Sequence, residues 1–254
     1  MSPLQGHYRF NTSLAFDHQG NPHIAYLDYS LGHDVLWYAH KIGAVWITST
    51  VDAEHGRAPV IALDSLDHAH VLYTDRDNNL LRYAEWTGSV WISETIGNSA
   101  DSGANLSTSP SALVMDNSDH ANVAYFEQPG NVLVFGSKVG GIWITNTIAT
   151  LPSVGEVKLA LGKTGEPQIV FTEYGGSQIG YAYRQGGVWT IEYVTSDIAR
   201  FISLALDSND VPRISYTEVF SRNLYSAAKP KSVVYLLLCL NDRYNHAQHG
   251  VLRN

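Results

Sequence analysis

Five times along the chain, an apolar alternation is followed by a cluster of turn formers and then by a second apolar alternation. Residues 14–28 read LAFDHQGNPHIAYLD, residues 61–75 IALDSLDHAHVLYTD and residues 113–127 LVMDNSDHANVAYFE. Residues 159–173 read LALGKTGEPQIVFTE and residues 204–218 LALDSNDVPRISYTE. A period of two predicts strands that send successive side chains to opposite faces. The starts lie 47, 52, 46 and 45 residues apart. A repeat of about 40–50 residues marks a unit that stacks on its neighbours.

The second half of each unit recurs too. IGAVWIT at residue 42 returns as TGSVWIS at 87, VGGIWIT at 139 and QGGVWTI at 185. Each unit thus predicts four strands, A to D; in the first they cover residues 13–16, 23–27, 35–40 and 45–51. Four short strands joined by tight turns form an antiparallel meander, the blade of a propeller. The expected fold is all-β: a five-bladed β-propeller of four-stranded antiparallel blades, almost without helix. The blades fall near residues 13–51, 60–96, 112–148, 158–194 and 203–240 of a single domain, 1–254, with residues 241–254 outside the repeat. Trp46, Trp91, Trp143 and Trp189 hold one place in strand D, and Tyr38, Tyr83, Phe135 and Tyr181 one place in strand C. Bulky rings at a fixed place predict packing between sheets, with the tryptophans mostly buried.

The fifth unit departs from the pattern. Ser226 stands at the strand C aromatic position, Lys231 at the turn glycine and Val234 at the tryptophan. Its last strand, from Val233 to Leu240, reads VVYLLLCL, apolar on both faces. An outer strand that carries no charge invites pairing, so self-association or a covering segment is expected there.

Composition narrows the classes. Hydrophobic residues make up 44% and charged residues 16%, which excludes general disorder. The 16 Lys+Arg against 24 Asp+Glu give a net charge of −8, and no basic stripe marks a nucleic-acid surface. The apolar runs are too short for a helical membrane span. Cys239 is the only cysteine, so no internal disulfide forms. The first residues lack the apolar core of a signal peptide. The compartment stays open, a mature extracellular segment being one reading.

The recurrent polar signal is a carboxylate ending strand B: Asp28, Asp75, Glu127, Glu173 and Glu218. Tyr29 and Tyr174 follow two of them, and a ring beside a carboxylate can receive a sugar face and its hydroxyls. These seven residues are the candidate ligand site. The competing expectation is that each acid caps its own loop. Strand B lies one strand out from the axis, so the acids should not converge on one ion; no metal or cofactor is expected. Asp17, Asp64, Asp116 and Asp207, with Gly162 in the fourth unit, predict Asx turns at the opposite end. His18, His23, His68, His70 and His120 lie in different units and are expected at the surface. A glycosidase needs two carboxyls about 5–10 Å apart, and the sequence offers no acid pair outside the repeat. Binding is expected instead where loops break the period, in residues 29–34 and 97–110.

The unit carrying PHIAYLD, a turn glycine and VWIT resembles repeats of lectin-like and sialidase-like bacterial β-propellers. In period, and in the step from turn to tryptophan, it is also similar to fucose-binding and tachylectin-type propellers. The sialidase Asp-box, Ser-x-Asp-x-Gly-x-x-Trp, is not matched. The resemblance implies a propeller and carbohydrate recognition. The expected function is a non-enzymatic carbohydrate-binding module. A protein-interaction scaffold and a glycan-active hydrolase are the alternatives.

Overall fold

A computed structural model describes residues 11–29, 32–98, 111–173, 178–195, 199–218, 223–228 and 236–239. Among them no helix occurs, and twenty strands form five four-stranded sheets. Blade 1 contains β1 (Thr12–Phe16), β2 (Pro22–Asp28), β3 (Val35–Ile42) and β4 (Val45–Asp52). Blade 2 contains β5 (Gly56–Leu63), β6 (Ala69–Asp75), β7 (Leu80–Trp86) and β8 (Trp91–Asn98). Blade 3 contains β9 (Ser111–Met115), β10 (Ala121–Glu127), β11 (Val132–Val139) and β12 (Ile142–Thr150). Blade 4 contains β13 (Val157–Leu161), β14 (Pro167–Thr172), β15 (Ile179–Gln185) and β16 (Val188–Thr195). Blade 5 contains β17 (Ala199–Leu206), β18 (Pro212–Glu218), β19 (Leu224–Ala228) and β20 (Leu236–Cys239). Each sheet keeps its strands in chain order, and the fold is a five-bladed all-β propeller. The chain divides into two compact units, Met1–Thr147 and Ile148–Asn254.

In the first unit, two cores lie between successive sheets. Ala25, Leu36 and Tyr38 of blade 1 meet Ile61, Val71 and Tyr73 of blade 2. Leu72, Leu81 and Tyr83 of blade 2 meet Leu113, Val123 and Tyr125 of blade 3. In the second unit, Val170, Ile179 and Tyr181 of blade 4 meet Ile202, Ile214 and Tyr216 of blade 5. The strand C rings Tyr38, Tyr83, Phe135 and Tyr181 are all buried, as their recurrence predicts.

The tryptophans require a correction. Trp91, Trp143 and Trp189 are only partly buried, and Trp46 is 45% exposed. Strand D is the outermost of its sheet, so its inward residues meet a neighbour on one side only. Trp91 meets Tyr38 of blade 1 edge-on, with ring centroids 5.2 Å apart, and donates Nε1–H to Ser49 Oγ at 3.0 Å. Trp143 repeats this against Tyr83 of blade 2 at 5.2 Å, donating to Glu94 Oε1 at 3.0 Å.

The turns between strands A and B are Asx turns, as expected. Asp64 Oδ1 accepts the N–H groups of Leu66 and His68 at 2.9 and 2.8 Å. Asp17, Asp116 and Asp207 hold the same two places in their turns. Three residues after this aspartate, or after Gly162 in blade 4, the chain turns left-handed: Gly20, Asp67, Asp119, Gly165 and Asp210 have φ between 58° and 82°. Aspartate tolerates this region because its side chain bonds locally. Here the side chain does more. Asp67 accepts the His18 N–H at 3.1 Å, with His18 Nδ1 at 2.8 Å. Asp119 accepts Ser65 N–H at 2.8 Å and Ser65 Oγ–H at 2.6 Å. Asp210 accepts Lys163 N–H at 3.2 Å. Each bond ties a turn to the turn of the preceding blade. Gly20 and Gly165, in blades 1 and 4, have no carboxylate to offer.

The expected surface position of the histidines holds for His18, which is exposed, but fails for His23 and His70, both buried. They open strand B on the face where the strand C ring stands. His23 Nδ1 lies 2.6 Å from Tyr38 Oη, and His70 Nδ1 2.5 Å from Tyr83 Oη. Their Nε2 atoms face Asp17 and Asp64 at 3.7 and 3.5 Å. In blade 4, Gln168 takes the same part and accepts Tyr181 Oη–H at 2.6 Å. Blade 3 has Phe135 in place of tyrosine, and its Asn122 turns to the His120 carbonyl.

Candidate functional site

Antiparallel order gathers the ends of strands B and D, and the starts of A and C, at one end of each blade. That end carries the five strand B acids, and the structure shows what each described one does. Asp75 is buried; its Oδ1 accepts Asn78 N–H at 3.1 Å, and both its oxygens accept from Asn78 Nδ2 at 3.1 and 3.0 Å. It caps its own loop. Glu127 reaches the preceding blade instead. Its Oε1 accepts Asn98 N–H and Nδ2–H, both at 3.0 Å, while Gln128 N–H donates to the Asn98 carbonyl at 3.3 Å. Gly97 makes this approach possible. A methyl there would fall 2.5 Å from Glu127 Oε2 and 2.9 Å from the Tyr125 ring. Glu173 is buried and accepts the Tyr193 Oη–H at 3.2 Å within blade 4. Asp28 and Glu218 close β2 and β18, partly buried and engaged. Tyr29 is half-exposed just beyond Asp28, and its carbonyl accepts Gly32 N–H at 3.3 Å. Tyr174, and all but Gly97 and Asn98 of the long 97–110 connection up to Pro110, lie outside the described residues.

Sequence reasoning missed the connection between blades 1 and 2 at this end. Asp52 Oδ1 accepts Glu54 N–H and His55 N–H, each at 3.0 Å, and its Oδ2 accepts Tyr73 Oη–H at 3.0 Å. The buried Asp34 of the first B–C loop pairs with Arg57 Nε of β5. His55, about one-third exposed, lies between Glu54 at 3.3 Å and Asp77 at 3.2 Å. Asp34 and Arg57 fall outside the repeated positions, so periodicity could not flag them. The signal lay in the first B–C loop being longer than the rest.

Among the described residues no group of three His, Cys, Asp or Glu side chains could hold a metal ion. At the opposite end of the blades, two carboxylates meet on one lysine. Lys138 Nζ lies 3.1 Å from Glu85 Oε2 and 2.8 Å from Glu94 Oε1. Burial alone would lower the lysine pKa, but the two carboxylates outweigh it and raise it.

No family model matches the chain, and no curated protein matches it in sequence. Solved structures do. A point mutant of the Aleuria aurantia lectin in complex with alpha-methyl-L-fucoside superposes with a TM-score of 0.63 at 12% identity, over 91% of this chain and 77% of the lectin. The same lectin mutant with Fucalpha1-6GlcNAc gives 0.60 at 15%, over 92% and 79%. The Penicillium chrysogenum alpha-L-arabinanase complexed with arabinobiose gives 0.56 at 11%, over 91% and 80%. At such identities the likeness is one of fold, and that fold is the β-propeller read from the repeat.

Proposed function

We propose that the chain is a non-enzymatic carbohydrate-binding propeller whose ligand sits at the B–C loop end. The observation that carries this reading is the half-exposed Tyr29 ring placed directly after the strand-ending Asp28. The ring offers a flat apolar face to a sugar, and a carboxylate oxygen accepts hydroxyl hydrogens. Glu173 and Tyr174 repeat that order in the fourth blade. The fold's likeness to a fucoside-bound lectin supports a sugar ligand by analogy.

A glycan array followed by calorimetry tests the proposal. Binding of at least one glycan class is expected, and Tyr29→Ala and Asp28→Asn should weaken it about tenfold or more with little loss of melting temperature. An array without hits would sink it. That result would favour an interaction scaffold, for which the exposed apolar pairs of the outer strands speak: Val45 and Ile47, Val90 and Ile92, Ile142 and Ile144.

A further inference from the structure

In the second unit, a bulge breaks β17. Arg200 pairs with Thr217 and Ser203 with Ser215, so Phe201 and Ile202 together face the single Tyr216. The bulge separates their side chains. Ile202 enters the core with Val170, Ile179 and Tyr181 of blade 4 and is 3% exposed, whereas Phe201 is 59% exposed. Phe201 also takes the left-handed conformation, with φ at 54°. The first place of such a bulge ordinarily holds glycine, because a β-carbon there crowds its own backbone. Blade 2 makes the same two-against-one bulge, with Ala58 at φ 47° in that place, so the backbone needs no ring there. The bulge is held from blade 4. The buried Glu156 accepts the N–H groups of Phe201 and Ile202 at 2.7 and 3.2 Å, and its own N–H donates to Thr172 Oγ1 at 2.8 Å.

A large apolar side chain thus stands at the surface in a conformation that glycine would take more easily, and neither feature serves the core. Bulges re-aim side chains next to binding sites, and strained residues collect there. We propose that Phe201 is the platform of a sugar subsite in blade 5, receiving the apolar face of a pyranose ring. This rests on the carbohydrate-binding reading above and adds a residue that belongs neither to the repeated acids nor to the loops. Strand A starts at the end of the blade where strand B stops, so Phe201 stands at the B–C loop end. Glu218, the strand B acid of this blade, is paired with Ala199, two residues before Phe201. A carboxylate has about four lone-pair sites, so bonds within the chain leave room for sugar hydroxyls. In blades 1 and 4 a tyrosine follows the strand B acid, whereas in blade 5 Val219 does. There the ring comes from strand A instead.

Fluorine NMR of the full chain labelled with 4-fluorophenylalanine tests this, with the methyl glycosides of fucose, galactose, glucose and glucuronic acid as probes. The Phe201 resonance is the one absent from Phe201→Gly. At least one glycoside should shift it, in the parent and in Tyr29→Ala alike. Calorimetry in the Tyr29→Ala chain then reads this subsite alone. Adding Phe201→Gly should weaken binding of that glycoside about tenfold or more, and adding Phe201→Trp should preserve it. Phe201→Gly by itself should melt no lower than the parent, since glycine relieves the left-handed turn. A lower melting temperature would place the ring in packing and overturns the proposal. Glycoside binding that vanishes with Tyr29→Ala, or that leaves the Phe201 resonance unmoved, overturns it while the carbohydrate reading stands. If no glycoside binds and the array is blank, both fall.

Discussion

At the scale of single residues, the turn aspartates separate backbone need from side-chain bonding. Asp119 is left-handed and holds Ser65 by two hydrogen bonds. Asp119→Gly keeps the backbone conformation and loses only the bonds, so about 1 kcal/mol or less is expected for an exposed site. Asp119→Ala loses both and should cost about 1–2 kcal/mol more. Urea unfolding of the two variants checks the order; equal stability would show that the left-handed turn is not the constraint. Gly97 is the converse case, a residue needed for what it lacks. Gly97→Ala should cost about 1–3 kcal/mol, since Glu127 and Tyr125 must move, and Glu127→Ala in the same chain should recover part of it. The doublet Asp-x-x-Asp was visible in the sequence. Its second member was not read, because left-handed φ and a partner 47 to 54 residues away leave no local trace.

At the scale of elements, strand identity was fully legible and depth was not. Alternation placed β1 to β4 within two residues at each end. It could not tell an inner strand from an outer one, since both alternate. That is why the tryptophans of strand D were expected in the core. Their places predict unequal effects. Trp91→Ala, which removes the edge-on contact with Tyr38 and the bond to Ser49, should cost about 2 kcal/mol. Trp46→Ala should stay within about 0.5 kcal/mol. Denaturation midpoints of the pair check this, and equal losses would contradict the difference in burial. Alternation also passes over bulges. β5 and β17 shift register where Ala58 and Phe201 turn left-handed. In blade 5 the bulge is held by the buried Glu156, which accepts Phe201 N–H at 2.7 Å and Ile202 N–H at 3.2 Å. An acid just outside its own repeat strand carried no periodic signal. Glu156→Gln should cost about 1–3 kcal/mol, through weaker acceptance at a buried site.

At the scale of the whole molecule, stability should depend on pH in two windows. Burial holds His23 and His70 below the ordinary imidazole value, against the pull of Asp17 and Asp64. The unfolded chain then binds protons that the folded one refuses. Their contribution is complete above about pH 6.5 and is lost as pH falls below it. The turn aspartates lie on the other side of neutrality of charge. For Asp64 and Asp116 burial would raise the pKa, but N–H donors and nearby histidines outweigh it and lower it. Their contribution is present above about pH 3.9 and is lost as pH falls through the depressed values. Melting temperatures from pH 8 to pH 3 should therefore fall in two steps, and His23→Gln with His70→Gln should flatten the first. The architecture was legible because five copies of one pattern leave little room for another fold. The candidate site was less legible, because Asp75, Glu127 and Glu173 also bond to their own loop or to other strands, and a repeated acid does not say which copy meets a ligand. Blade 2 also has a use beyond this chain. Its turn donates through Ser65 and accepts through Asp67, so it bears both ends of the coupling between successive blades. Tandem copies of blade 2 alone would be joined at every junction by the same pair, which makes it the natural template for a propeller assembled from one repeated sequence.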